Sequence, residues 1–115
     1  MIYLCSVYSY KADKALMQKR YEYVEKRTAA MLKSLITVFS PIVHCHNMAQ
    51  KYDMPKTFDF WKKHDFTYID NCNAVYVLEM PNREKSEGIT AEIAYAERIG
   101  KPVRYVPVDP KFYSE

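Results

Sequence analysis

One acidic residue on a predicted helix stands out because no basic residue lies beside it. The spacing of apolar residues and the closing Gly100 predict a helix over about residues 87–99. Glu92 lies next to the apolar side of this helix, and the residues three and four positions away are Gly88, Ile89, Tyr95 and Ala96. A carboxylate with apolar neighbours and no local cation is typical of an active site. Glu92 is therefore a candidate catalytic residue, and the alternative is a solvated acid at the helix edge.

The start of the same helix has features of an anion site. Ser86 precedes the helix as a predicted cap, and Gly88 would let a ligand approach the main chain closely. Backbone amides at a helix N-terminus favour anions, including phosphate. The sequence thus indicates a phosphate-binding site at this point, or alternatively an ordinary capped helix.

A second acidic residue, Asp65, falls on a helix predicted over residues 57–70. Trp61 and Ile69 lie four residues away on either side, at helical spacing, and Phe66 is the next residue. Partial burial among them would raise the pKa of this carboxyl, which is the property that a general acid needs. The alternative is a surface ion pair with Lys62 or Lys63.

Two histidines, His44 and His46, flank Cys45 after the second predicted strand. If this stretch is extended, both imidazoles lie on one side, where they would line the rim of a ligand site or bind a metal. No further motif completes a metal site, so no metal is expected and a metal-dependent hydrolase is the minor alternative. Tyr8 and Tyr10 follow the first predicted strand and are placed to touch a ligand.

Short apolar strands alternate with amphipathic helices along the chain. Strands are predicted over residues 2–5, 35–39, 74–79 and 103–106, and helices over residues 13–34, 57–70 and 87–99. This alternation predicts an α/β fold, a small doubly wound (flavodoxin/Rossmann-like) parallel sheet of four to five strands in the order 2-1-3-4, flanked by helices. Ligands bind such sheets beyond the carboxyl ends of the strands, so the loops 6–10, 40–47 and 79–88 should share one rim.

The composition excludes several classes of protein. The 115 residues predict a single domain over the whole chain. With Gly88 and Gly100 as the only glycines, the chain contains neither the three-glycine dinucleotide motif nor a P-loop, and no cofactor is expected. The 17 basic and 14 acidic residues leave a net charge of +3 without long basic runs, which favours a small ligand over duplex nucleic acid.

The same composition predicts a cytoplasmic protein without a membrane contact. The longest uncharged stretch, residues 34–50, is too polar to span a membrane, and the first residues lack a basic signal-peptide start. The three cysteines, Cys5, Cys45 and Cys72, match no zinc or redox spacing and are expected to be buried thiols.

Two segments resemble a known enzyme family. Residues 3–9 (YLCSVYS) resemble the opening of nucleoside 2-deoxyribosyltransferase-like proteins, and residues 88–96 (GITAEIAYA) resemble the segment that carries their catalytic glutamate. The similarity extends over nearly the whole chain. Together with residues 40–46 and 59–61, these segments most resemble a small, often phage-borne branch of that superfamily, related to the nucleoside-monophosphate N-glycosidases.

The resemblance implies cleavage of the N-glycosidic bond of a (deoxy)nucleoside or its 5′-monophosphate, by hydrolysis or by base exchange. Glu92 matches the family nucleophile, and Asp65 matches an aspartate that protonates or holds the base. Ser86 matches a phosphate-binding serine of the monophosphate N-glycosidases, which favours a 5′-phosphate substrate. Under this hypothesis Ser6 and Ser9 are further phosphate contacts.

Two further expectations concern function and assembly. Related folds also sense nucleotides, so a non-catalytic nucleotide-binding module is the main alternative to an enzyme. A sheet this small, in a chain rich in tyrosine and methionine, should bury helical surface against a second copy, which predicts a homodimer or a higher homo-oligomer.

Overall fold

The computed structural model describes residues 1–9 and 13–115. Its strands are β1 (Ile2–Cys5), β2 (Val38–Phe39), β3 (Ala74–Leu78) and β4 (Val103–Val106). They form a parallel sheet in the order β2-β1-β3-β4, which confirms the predicted order. The chain moves from β1 to one edge of the sheet and later from β3 to the other edge. The carboxyl ends of β1 and β3 therefore mark the topological switch point, where such sheets bind ligands.

Four helices flank the sheet. They are α1 (Lys14–Lys33), α2 (Pro41–Lys51), α3 (Phe58–Asp70) and α4 (Glu87–Arg98). Helix α1 packs against α2, and α3 packs against α4. The sheet and its helices make an α/β doubly wound fold, as predicted. Among the described residues, each helix is either too short or too polar to cross a bilayer.

The core lies at the two central strands. Tyr3, Leu4, Val75 and Val77 are fully buried, because β1 and β3 have a neighbouring strand on each edge and helices over their faces. The three cysteines are buried as predicted. This packing fixes the carboxyl ends of β1 and β3, where the loops of the site begin.

The second strand is shorter than predicted. Strand β2 begins at Val38, because residues 35 and 36 complete the end of α1 instead. The amide of Leu35 donates to the carbonyl of Leu32 (3.0 Å), and the amide of Ile36 donates to that of Met31 (3.0 Å). This Schellman motif needs a left-handed residue, and Leu35 takes that conformation with a φ of 63°.

A helix occupies the stretch after β2, where the sequence pattern predicts a rim loop. The Ser40 hydroxyl accepts a hydrogen bond from the amide of Val43 (3.2 Å), and Pro41 occupies the first position of α2. Serine followed by proline is a helix-start signal as well as a strand-ending one. The prediction of a loop over residues 40–47 is wrong, and the extended conformation that would put His44 and His46 on one side is absent.

Candidate functional site

A pocket of about 390 Å³ opens at the carboxyl ends of the central strands. The loop after β1, the start of α2, the inner side of α3 and the start of α4 line it. The predicted site residues that it brings together are Ser6, Tyr8, Ser9, Asp65, Ser86, Gly88 and Glu92. Its size is that of a small-molecule site. Of the three stretches expected to share this rim, the first contributes residues 6–9 from a loop, residues 40–47 contribute from the first turns of α2, and residues 79–88 from the N-cap and first turn of α4.

Glu92 is buried in the pocket wall, with 6% of its surface exposed. The phenol of Tyr3, on β1, donates a hydrogen bond to its Oε2 (2.6 Å). Burial raises the pKa of Glu92 to about 8; the charge of Asp65 adds to the rise, and the bond from Tyr3 opposes it. No ion pair to Glu92 is present within the described part of the chain. The solvated-acid alternative is therefore wrong.

Asp65, on α3, is the second buried carboxyl of the pocket, with 8% of its surface exposed. Burial raises its pKa to about 7, as the sequence predicts. The alternative pairing with Lys62 or Lys63 is absent: within residues 1–9 and 13–115 Asp65 makes no ion pair. The pocket thus holds two carboxyl groups whose pKa values burial raises to near neutral pH.

Tyr3 is a site residue that sequence reasoning missed. Its side chain is fully buried, and its hydroxyl engages Glu92 from the neighbouring layer of the fold. The signal was present, because a tyrosine in a buried strand needs a hydrogen-bond partner for its hydroxyl. The hydrogen bond holds one carboxylate oxygen, and Oε1 accepts none from the described residues, so it is the oxygen available for chemistry.

The start of α4 forms one end of the pocket. Ser86 is the N-cap, as predicted, and its hydroxyl accepts from the amide of Ile89 (3.2 Å). Gly88 lines the pocket, and a Cβ there would lie 3.2 Å from the ring of Phe58, so the glycine also lets this ring pack closely on α4. Lys56 and Lys85 also line the pocket, and neither was singled out from the sequence.

The loop after β1 contributes Ser6, Tyr8 and Ser9. Ser6 is 8% exposed, and its Oγ is buried without a hydrogen-bond partner in the part of the chain that the structure describes. An unsatisfied buried hydroxyl costs about 1–3 kcal/mol. A ligand in the pocket that bonds to Ser6 would offset this cost. Tyr10, the other predicted contact, lies outside the described residues.

The structure does not bring the two histidines to the pocket. Two residues along an α-helix correspond to a rotation of about 200°, so His44 and His46 lie on nearly opposite sides of α2 and cannot share a face. His44 is exposed and packs near Phe39, with ring centroids 5.4 Å apart. His46 is buried behind Tyr8, and its Nδ1 lies 2.6 Å from the Tyr8 hydroxyl. Among the described residues no group of three or more potential ligands is placed to hold a metal ion.

Aromatic side chains form an apolar wall of the pocket. Phe58 and Trp61 lie on α3 beside Asp65, and Ile42 faces in from α2. The Trp61 indole donates to the carbonyl of Pro55 (2.7 Å), which fixes the ring. A rigid aromatic wall beside a carboxylic acid suits a flat, polar ring such as a nucleobase.

Comparison with known proteins identifies the family to which the chain belongs. No curated protein matches the chain. A family model described as Domain of unknown function (DUF1937) matches residues 1–107, nearly the whole length, and so places the sheet and every residue lining the pocket inside the match. The chain belongs to this family, the Domain of unknown function DUF1937 proteins.

Proposed function

We propose that this pocket cleaves the N-glycosidic bond of a (deoxy)nucleoside 5′-monophosphate through a glycosyl-enzyme intermediate. Glu92 is the nucleophile, and Asp65 is the acid that protonates or holds the base. The observation that carries the proposal is the pair of buried carboxyl groups in one pocket, without a cation on either of them within the described residues. This pairing gives the two roles that an oxocarbenium-like transition state requires.

Both carboxyl groups titrate near neutral pH. With the pKa of Asp65 raised to about 7 and that of Glu92 to about 8, the pair releases its protons over a narrow range near neutrality. A state with one carboxylate and one carboxylic acid is therefore populated at physiological pH. Asp65, which has the lower pKa, is the first of the two to ionise in the unliganded protein, and the hydrogen bond from Tyr3 opposes the rise in the pKa of Glu92 without reversing that order. The proposed roles therefore require the bound base to hold the proton on Asp65, which leaves Glu92 as the ionised partner.

The reaction proceeds in two steps. An oxygen of Glu92 attacks C1′ of the sugar, the bond from C1′ to the base nitrogen breaks, and Asp65 gives its proton to the departing base. Water then attacks C1′ of the glycosyl ester, Asp65 takes a proton from that water, and Glu92 leaves as a carboxylate. In base exchange a second base replaces the water and gives up its proton to Asp65.

The start of α4 supports a phosphate at the other end of the ligand. The N-terminus of this helix carries partial positive charge, and Lys56 and Lys85 line the same pocket. Ser6 offers a hydroxyl that has no partner among the described residues. These groups complement an anion in the same pocket as the two carboxyl groups, as in a 5′-monophosphate.

The proposal is tested by incubating the protein with the common ribo- and deoxynucleoside 5′-monophosphates and the matching nucleosides, and measuring free base by chromatography. We expect base release from at least one monophosphate, and adding a different free base distinguishes exchange from hydrolysis. Binding without base release, at equal affinity in Glu92→Gln, would instead support the nucleotide-sensing alternative.

Ser86→Asp tests the phosphate end separately. Aspartate caps a helix about as well as serine, so the fold should keep its stability. Its charge would repel a phosphate at the N-terminus of α4, and we expect KM for the monophosphate to rise about tenfold or more while KM for the nucleoside changes little. An equal change for both substrates would place the phosphate elsewhere.

A further inference from the structure

A buried ion pair joins α1 to the carboxy-terminal segment. Arg20 is 2% exposed, and its guanidinium donates to Glu115 through Nε (2.8 Å) and Nη2 (2.9 Å). The Glu115 side chain is 11% exposed. This two-point geometry is the strong form of an arginine–carboxylate contact, and it fixes the plane of the guanidinium. Hydrogen bonding from Arg20 lowers the pKa of Glu115, so the pair stays charged at neutral pH.

The same guanidinium holds the pocket loop. Its remaining terminal nitrogen, Nη1, donates to the carbonyl oxygens of Ser9 (3.2 Å) and Tyr8 (3.4 Å). Both residues line the pocket. The Ser9 hydroxyl continues the connection by donating to the carbonyl of Lys56 (3.2 Å), another lining residue. The orientation of Arg20 thus determines where one wall of the pocket lies.

We propose that Glu115 is a positioning residue for the pocket: by fixing the guanidinium of Arg20, it holds the Tyr8–Ser9 wall in the geometry that binds the ligand. Glu115 lines no part of the pocket and lies beyond residues 1–107 of the family match. It therefore acts through Arg20 and not on the substrate. The kinetic part of the test below rests on the proposed function, whereas the spectroscopic part does not.

Tyr113 holds Glu115 in place. Its hydroxyl donates to Oε2 of Glu115 (2.6 Å), and its buried ring lies against Tyr23 of α1, with centroids 4.7 Å apart. Packing of Tyr113 on α1 therefore places the Glu115 side chain next to Arg20 and restricts its conformations. A carboxylate held in this way orients the arginine better than a mobile surface acid would.

His46 reports on the position of Tyr8. The amide nitrogen of Gln18 donates to Glu22 (3.2 Å), which turns Oε1 of Gln18 toward Nε2 of His46 (2.8 Å). Nε2 must therefore carry the proton, and Nδ1 accepts from the Tyr8 hydroxyl (2.6 Å). Burial lowers the pKa of His46, so the ring is neutral and this tautomer persists at physiological pH. A displaced Tyr8 would lose the bond to Nδ1.

The experiment compares Glu115→Gln with Glu79→Gln in the full chain. Glu79 makes a two-point pair with Arg83 (both contacts 3.1 Å) that is more exposed than the pair of Arg20 and Glu115, and it does not line the site pocket, so its variant is the control for the loss of such a pair. In ¹⁵N-labelled protein, Glu115→Gln should move the His46 Nδ1 signal toward that of a ring nitrogen without a hydrogen bond. It should also raise KM for the best monophosphate about tenfold, with kcat within about twofold. Glu79→Gln should leave both unchanged.

Tyr113→Phe provides a milder second variant, because it removes the hydrogen bond to Glu115 and keeps the ring that packs on α1. It should shift the His46 signal in the same direction by a smaller amount. An unchanged His46 signal in Glu115→Gln overturns the inference, as does an equal shift in Glu79→Gln. If the wild-type protein releases no base from any monophosphate, the proposed function fails, and the His46 signal alone decides whether Glu115 positions the wall.

Discussion

Glu92→Gln should release base from a deoxynucleoside 5′-monophosphate about 10³-fold or more slowly than the wild-type protein. The amide fills the same space and still accepts a hydrogen bond from Tyr3, but it cannot form the glycosyl ester. Single-turnover chromatography of the free base measures the loss. A 2′-fluorinated substrate slows decay of the ester, so intact-protein mass spectrometry should detect an added sugar phosphate on the wild type and none on the variant.

Two companion variants make this result specific. Glu97→Gln makes the same chemical change on the exposed side of α4 and should keep full activity. Tyr3→Phe keeps the nucleophile and removes only the hydrogen bond that holds it, so kcat should fall about tenfold to a hundredfold. Full activity of Glu92→Gln would refute the assignment of Glu92 as the nucleophile.

The regular elements of the fold were predictable because their patterns are local. The strands over residues 2–5 and 103–106 have the predicted bounds, α1 is one residue shorter than predicted at each end, and α4 begins as predicted and ends one residue earlier. Errors arose where one short sequence carries two signals. Ser40 and Pro41 end a strand and also start a helix, and only packing of α2 against α1 selects the helix. The apolar pattern predicts a strand at Leu35, whereas the end of α1 requires a left-handed residue there.

The candidate site was predictable where chemistry follows from position on one element. Glu92 and Asp65 were found because each lies on the apolar side of a helix, and the structure buries both in one pocket. Contacts between side chains on different helices and strands cannot be predicted from the spacing of residues along the chain. The hydrogen bond from Tyr3 joins residues 89 positions apart. The two histidines were misplaced because the alternation argument holds for strands and fails on a helix.

A pocket with two buried acids should cost the protein stability, and the cost should depend on pH. The charged form of a carboxyl group is unfavourable away from water unless it is paired with a cation. Among the described residues Glu92 has only the phenol of Tyr3 as a partner. Active sites commonly show this trade of stability for function. The penalty distinguishes a buried functional acid from a structural one that is paired.

Glu92→Gln should therefore be more stable than the wild type at high pH and nearly equal to it at low pH. The pKa of Glu92 is about 8 in the folded protein, against an ordinary value of 4.5 in the unfolded chain. Between these values the folded state binds more protons than the unfolded state, so wild-type stability falls as pH rises through this window. Above it, the folded wild type carries the full cost of the buried charge, on the order of a few kcal/mol.

Thermal unfolding at about pH 5 and about pH 9 measures the effect, and the Tm of Glu92→Gln minus that of the wild type should grow by about 10 °C between the two. The glutamine has no proton to lose, whereas the protonated glutamic acid at low pH is nearly its equal in shape and polarity.

Asp65→Asn should show the same trend over a pH window that ends lower, because the pKa of Asp65 in the folded protein is about 7. Glu97→Gln controls for the loss of a surface charge, since that side chain is exposed to water. A difference between Glu92→Gln and the wild type that stays constant with pH would mean that Glu92 is not a buried acid, and the glycosidase mechanism would lose its nucleophile.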